Sequence, residues 1–250
     1  MSFVHVNNVD LYYEIAGKGP TVMFLHGLTG SCGDWLNQIE VLTPTYNVIA
    51  IDMRGHGKSA VPKTQSEYSI SIFAEDVFQT LQLLGINKCC LVGHSIGGFI
   101  ALQFALSHSD RLTGLVLVDS FSGRFKRNPN APFQLSKKIV SLVHSQDLPQ
   151  AERGTSWQKA LTTSAAGYMY SAKAASKRQD LTSRLCEIRV PTVVYWGSED
   201  TQFAEAVKIL ETGIAGSKLI TIEGAGHNPH QEKPETFNLS ILEFLKTVKW

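Results

Sequence analysis

The stretch Leu91–Phe99, with the sequence LVGHSIGGF, decides the fold because a glycine-flanked serine in it joins an apolar run to a helical pattern. The pattern Gly-x-Ser-x-Gly in this setting is typical of a sharp turn that leads from a buried strand into a helix. Such a turn strains the backbone of its serine, and side chains at Gly93 and Gly97 would collide with the adjoining elements. We therefore predict that Ser95 is a nucleophile at the carboxyl edge of a sheet. A serine that only caps a helix is the alternative.

The rest of the sheet is predicted by short, nearly continuous apolar runs, which are typical of strands buried on both faces. These runs are Val22–Leu25, Val48–Ile51, Cys89–Val92, Leu115–Val118, Val193–Trp196 and Leu219–Ile222. Alternating residues before and after Asn7-Asn8 predict an antiparallel hairpin at the sheet edge. Apolar residues at helical spacing from Ile70 to Leu84 place a helix between two runs. We expect an α/β fold with a mostly parallel eight-stranded sheet and helices on both faces.

The segment from residue 121 to residue 189 interrupts this alternation, because it has helical patterning, proline breakers and no strand-like run. We interpret it as an inserted helical cap on a core formed by residues 1–120 and 190–250. The segment carries 12 Lys and Arg against 4 Asp and Glu, a net charge of +8, whereas the whole chain has a net charge of +1. The basic residues could simply be solvated helix faces, or they could steer an anionic substrate toward a cleft beneath the cap.

Composition excludes several classes of protein. A chain of 250 residues with 43% hydrophobic residues can bury a full core without a metal or disulfide bonds. No basic run resembles a nucleic-acid footprint, and no apolar run is long enough to span a membrane. The four cysteines lack the spacing of a zinc site, which favours a reducing compartment. We expect a cytoplasmic protein that needs no cofactor or metal and has neither a nucleic-acid nor a membrane partner.

A serine hydroxyl is barely nucleophilic at neutral pH, so Ser95 needs a histidine as its general base. We predict that this base is His227, because it follows the last predicted strand on a glycine-containing loop near the same sheet edge as Ser95. The local alternative is His230, which lies further toward a helix that begins near Pro234.

The base must in turn be oriented by a carboxylate that also follows a strand. We predict Asp200 for this role in preference to its neighbour Glu199. Asp119 is a rival, because it follows the strand beside that of Ser95. If Asp200 were only the cap of the helix that runs through Val207, its substitution would leave activity largely intact.

Attack on an acyl carbon creates an oxyanion, which two backbone N–H groups commonly stabilise. The first predicted donor is Ile96, directly after the nucleophile, and the second is Leu28, in the loop after the third strand. Gly27 allows that loop to approach the site closely. His26 follows a buried strand directly, so we expect it to brace the loop by hydrogen bonding rather than to act as a second base.

The sequence resembles the α/β-hydrolase superfamily, in its branch of small-cap esterases, lactonases and carbon–carbon bond hydrolases. Five motifs occur in family order: His26-Gly27, Asp52–Ser59, Gly93–Gly98, Trp196–Asp200 and Gly224–His227. The order Ser95, Asp200, His227 along the chain is also that of the family. By this resemblance, the Asp52–Ser59 stretch is a structural turn. Relatives that displace halide or open epoxides use a carboxylate nucleophile, which disfavours those activities for a chain with Ser95.

We therefore expect a serine hydrolase with the catalytic residues Ser95, Asp200 and His227. Its substrate would be a small acyl compound, such as an ester, thioester or lactone, and could be anionic. Two alternatives use the same pocket: a carbon–carbon bond hydrolase that acts on a diketone, and a receptor-like protein that binds a ligand without turning it over. The sequence does not indicate an oligomeric state.

Overall fold

The computed structural model describes residues 2–123 and 163–250. Its eight strands form one sheet in the order β1-β2-β4-β3-β5-β6-β7-β8. The strands are β1 (Ser2–Val6), β2 (Val9–Ala16), β3 (Thr21–Leu25), β4 (Asn47–Ile51), β5 (Cys89–His94), β6 (Leu112–Val118), β7 (Thr192–Gly197) and β8 (Lys218–Ile222). The pairs β1–β2 and β2–β4 are antiparallel and the other pairs are parallel, which confirms the predicted hairpin and the mostly parallel sheet.

The opening hairpin lies at the sheet edge, where it was expected. Its turn residues Asn7 and Asn8 have φ angles of 44° and 61°, the left-handed conformation that asparagine tolerates in two-residue hairpin turns. At the opposite edge the prediction of a strand buried on both faces is wrong for β8, in which only Ile222 is buried. An edge strand has a single neighbouring strand, and helices cover it less completely than they cover the centre of the sheet.

Helices cover both faces of the sheet. Numbered over the described residues, they are α1 (Leu36–Leu42), α2 (Ile70–Leu83), α3 (Ile96–Ser107), α4 (Ala165–Ser176), α5 (Ala204–Gly213), α6 (Pro229–Glu232) and α7 (Pro234–Thr247). Residues of α2, α3 and α5 belong to the hydrophobic cluster on one face, and residues of α1 and α7 belong to the cluster on the other. In α2 the predicted apolar positions Ile70, Phe73, Val77 and Leu81 are buried, and the helix stops before Gly85, which has a φ of 69°.

Part of the predicted cap, residues 124–162, lies outside the described residues. The described part contains α4 and a 3-10 helix at Thr182–Glu187. Helix α4 packs closely on the core: a Cβ atom at Gly167 would overlap the backbone of Gly55. The hydroxyl of Tyr170 also donates a hydrogen bond to the carbonyl of Lys63. Within residues 2–123 and 163–250, no helix is long and apolar enough to cross a membrane.

Candidate active site

Ser95 lies in a sharp turn between β5, which ends at His94, and α3, which begins at Ile96. Its φ of 52° and ψ of −117° are strained for a residue with a side chain. The turn is held by the hydrogen bond that the Ser95 N–H donates to the carbonyl of Val118 on the neighbouring strand. The strand, turn and helix predicted around Ser95 are therefore present.

Two glycines make room for this turn. A Cβ atom at Gly93 would lie 2.5 Å from the carbonyl carbon of Gly97 and 2.6 Å from the Cα atom of Gly98. A Cβ atom at Gly97 would lie 2.6 Å from the carbonyl oxygen of Leu25 on β3. Since real Cβ contacts do not occur below about 3 Å, the predicted collisions with strand and helix are confirmed.

The structure brings the three predicted side chains into contact. His227 Nε2 lies 3.0 Å from Ser95 Oγ, and His227 Nδ1 lies 2.6 Å from Asp200 Oδ2. The Asp200 side chain is 8% exposed and that of His227 is 32% exposed, so the carboxylate is shielded while the imidazole faces the site. This geometry allows the imidazole to take the serine proton at Nε2 while the carboxylate holds its Nδ1 proton.

The loop carrying His227 is held by a second acidic residue. Glu232, on α6, accepts a hydrogen bond from the backbone N–H of Gly226 at 2.6 Å and another from that of Asn228 at 3.0 Å. The Glu232 carboxylate therefore fixes the backbone on both sides of His227. This restricts movement of the imidazole away from Ser95.

Neither Glu199 nor Asp119, the two alternatives to Asp200, forms a hydrogen bond with His227 Nδ1. Glu199 is exposed. Helix α5 begins at Ala204 with Phe203 at its cap position, so Asp200 does not cap it. Asp119 is fully buried and accepts a hydrogen bond from the Gly197 N–H at 3.1 Å. Its carboxyl group lies within 4.8 Å of both Asp200 and His227.

His230, the alternative base, is fully buried and stacks on the indole of Trp35 with ring centroids 4.2 Å apart. It therefore has a packing position in the core rather than a position beside Ser95. His26 has the bracing role that the sequence predicts: Nδ1 donates to the carbonyl of Gly27 at 2.7 Å, and Nε2 accepts from the N–H of Met53 at 3.0 Å.

The two predicted oxyanion donors lie on segments that meet at Ser95. Ile96 is the first residue of α3, and the N–H of a first helical residue has no acceptor within its own helix. Leu28 follows Gly27, at which a Cβ atom would lie 3.5 Å from the Cβ atom of Ser95. The loop after β3 therefore reaches the nucleophile.

The Asp52–Ser59 stretch forms a turn with structural contacts. The Asp52 carboxylate accepts hydrogen bonds from the N–H groups of Cys32 and Lys58. Burial, together with the nearby His26, lowers the pKa of His56 to about 3. This imidazole is therefore neutral at physiological pH, and neither residue contacts the Ser95 side chain.

Two contacts of His227 were not predicted. His94 Nε2 donates a hydrogen bond to the backbone carbonyl of His227 at 2.7 Å, which ties the residue before the nucleophile to the loop of the base. The ring of Phe203 lies 4.5 Å from that of His227. His94 stands inside the Gly-x-Ser-x-Gly pattern, which was a signal for it, but nothing in the local sequence marks Phe203.

A cleft of about 350 Å³ lies between α2, α3 and the end of α4. Its wall includes Phe99, one helical turn after Ser95, together with Lys177 and Arg178. The Arg178 guanidinium lies over the rings of Phe121 and Phe99, at 4.5 and 5.6 Å from their centroids. Within the described residues, the cleft is lined by no acidic side chain.

Comparisons with known proteins agree with this architecture. The family model of the alpha/beta hydrolase fold matches residues 20–145. The esterase EaEST from Exiguobacterium antarcticum is 25% identical, with a TM-score of 0.84 over 98% of this chain and 99% of that one. Est816, an N-acyl homoserine lactone degrading enzyme, is 29% identical, with a TM-score of 0.79 over 97% and 100%. Epoxide hydrolase 3 of Xenopus tropicalis is 24% identical over 96% of this chain and 76% of its own length. The chain therefore belongs to the alpha/beta hydrolase fold family.

Proposed function

We propose that the protein is a serine hydrolase that cleaves a small carboxylic ester, thioester or lactone through an acyl-enzyme on Ser95. The observation that carries this proposal is the continuous chain of contacts from Ser95 Oγ through the His227 imidazole to the Asp200 carboxylate. The similar proteins named as an esterase and as a lactone-degrading enzyme support the same substrate class.

In the first half of the reaction, Ser95 Oγ attacks the carbonyl carbon while His227 Nε2 takes the hydroxyl proton. Asp200 stabilises the imidazolium that forms, and the N–H groups of Ile96 and Leu28 stabilise the oxyanion. Collapse of the tetrahedral intermediate expels the alcohol or thiol, which receives the proton from His227. Water activated by His227 then attacks the acyl-enzyme, and the carboxylic acid and free Ser95 are released.

The test is multiple turnover of p-nitrophenyl acetate by the wild type and by Ser95→Ala, His227→Asn and Asp200→Asn. We expect kcat to fall by on the order of 10³-fold or more in each variant, because the three groups act as a unit. The controls are Ser107→Ala and His108→Asn, which match the first two variants in residue type, and Glu199→Gln, which changes the neighbouring carboxylate; all three lie outside these contacts. Undiminished turnover by Ser95→Ala would refute the proposal, and a single turnover by the wild type would favour the receptor-like alternative.

The pH dependence follows from the base. The base must be neutral to accept the serine proton, so we expect the rate to fall at acid pH. A rate that stays constant throughout the acid range in which the protein remains folded would contradict a general base at this position.

We also propose that residues 121–189 form a cap over the core and that its positive charge favours an anionic substrate. The support is its net charge of +8 and the presence of Lys177 and Arg178 at the cleft beside Phe99. The kcat/KM for a carboxylated ester should then fall with added salt, while that for a neutral ester of equal acyl length should not. Equal responses to salt would show that the basic residues are a solvated surface.

A further inference from the structure

Asp119 is a buried acidic residue to which the proposed mechanism assigns no task. It follows β6 directly, with a φ of 40°, an unusual conformation for a residue with a side chain. Its N–H donates to the carbonyl of Tyr195, and its carboxyl group accepts from the Gly197 N–H at 3.1 Å. The next residue, Ser120, donates its hydroxyl proton to the carbonyl of Ser95 at 2.8 Å. Asp119 is thus fixed between the nucleophile turn and the end of β7.

Two buried carboxyl groups lie close together at this point. Asp119 is 0% exposed and Asp200 is 8% exposed, and their oxygens lie within 4.8 Å of each other and of His227. The titratable groups near Asp119 include Asp200, after β7, Glu232, on α6, and His227, and the negative charges of Asp200 and Glu232 disfavour ionisation of Asp119. Burial, followed by the charge of Asp200, raises the pKa of Asp119 well above its usual range.

We propose that Asp119 is a positioning residue whose carboxyl group carries a proton at neutral pH and donates a hydrogen bond to the Asp200 carboxylate. This inference rests on the proposed function, because it concerns the residue that orients His227. Two adjacent buried carboxylates cannot both ionise without strong repulsion, and a shared proton removes that repulsion. The proton resides on Asp119, because Asp200 already accepts a hydrogen bond from His227 Nδ1.

The arrangement has a consequence for the base. A hydrogen bond donated to Asp200 stabilises its negative charge and limits how strongly it attracts a protonated imidazole. If the donor is removed, Asp200 holds the imidazolium more tightly, and the acid limb of kcat/KM moves to higher pH. If Asp119 were ionised instead, its removal would take away a negative charge, and the limb would move to lower pH.

Asp119→Asn and Asp119→Ala separate these cases. An asparagine can still accept from Gly197 N–H and donate to Asp200, so we expect Asp119→Asn to keep kcat within about twofold and to leave the acid limb in place. Asp119→Ala should lower kcat by about tenfold and shift the limb upward by about half a unit or more. Asp110→Asn, which removes an exposed carboxylate near the start of β6, is the control.

A downward shift of the limb in Asp119→Asn, or wild-type behaviour of Asp119→Ala, would overturn the inference. If Asp119→Asn abolished turnover while Asp200→Asn retained it, Asp119 would itself be the orienting acid, with Ser95 and His227 keeping their roles. Failure of the proposed function would give a different result from all of these, namely activity that survives Ser95→Ala.

A spectroscopic measurement keeps the inference testable if the variants fold poorly. In wild-type protein labelled with ¹³C at the aspartate carboxyl carbons, one resonance at pH 7 should have the chemical shift of a protonated acid. A spectrum in which every aspartate is ionised would overturn the inference.

Discussion

Gly93→Ala tests the link between the fold and the presentation of Ser95. The new methyl group would lie 2.5 Å from the carbonyl carbon of Gly97 and 2.6 Å from the Cα atom of Gly98, and both are backbone atoms that cannot rotate away. Relief requires that α3 move away from the end of β5 by about half an ångström or more. Overpacking of this kind costs about 1–3 kcal/mol, and strain at Ser95 that is released when the turn opens offsets part of this cost.

We therefore expect Gly93→Ala to lose about 1–3 kcal/mol of unfolding free energy in urea, or roughly 2–12 °C in Tm for a chain of this size. We also expect kcat to fall more than stability alone explains, because the Ser95 hydroxyl moves relative to His227. Gly33→Ala is the control: its new methyl group would lie 3.4 Å from Ser31 Oγ, an ordinary contact. If the two variants unfolded within about 0.5 kcal/mol of each other and both kept full activity, the steric argument for the turn would be refuted.

Three further predictions concern buried polar groups. Asp76→Asn leaves the Arg54 guanidinium, whose side chain is 2% exposed, without its ionic partner. Urea unfolding should therefore show a free energy of unfolding about 3–5 kcal/mol lower than that of the wild type. A decrease below about 1 kcal/mol would contradict this prediction. His94→Phe keeps a ring but removes the hydrogen bond donated to the His227 carbonyl. Steady-state kinetics should show a kcat about threefold to tenfold lower, with KM nearly unchanged. An unchanged kcat would mean that this contact does not position the base. Because burial raises the pKa of Asp119, the folded state keeps a proton that the unfolded state releases above about pH 4, and the contribution of this group to wild-type stability therefore falls as pH rises. Asp119→Asn lacks this effect, so its stability relative to the wild type should rise between pH 5 and pH 7, by up to about 1.4 kcal/mol per unit, and a difference independent of pH would contradict the raised pKa.

Much of the fold could be predicted because its signals are local. A strand buried on both faces needs an apolar run wherever it lies in the sheet, and a turn as tight as that at Ser95 needs glycines at fixed positions. The outer strand β8 is the exception, since its burial depends on which helices happen to cover the edge. That information is not contained in the five residues Lys218–Ile222.

The site was less predictable, because its contacts join residues that are far apart in the chain. Both Asp119 and Asp200 follow parallel strands that are neighbours in the sheet, so their positions in the sequence favour either as the partner of His227. Only the directions of the side chains separate them: Asp200 Oδ2 reaches His227 Nδ1, while Asp119 faces Gly197. The contact of His94 with the His227 carbonyl spans 133 residues and has no periodic signal.

The most direct test of the central claim is to react the protein with a fluorophosphonate, digest it and map the modified residue by mass spectrometry. We predict one adduct, on Ser95, which forms much more slowly in His227→Asn because no base then removes the hydroxyl proton. An adduct on another residue, or full esterase turnover by protein that the reagent leaves unmodified, would contradict the assignment of Ser95 as the nucleophile.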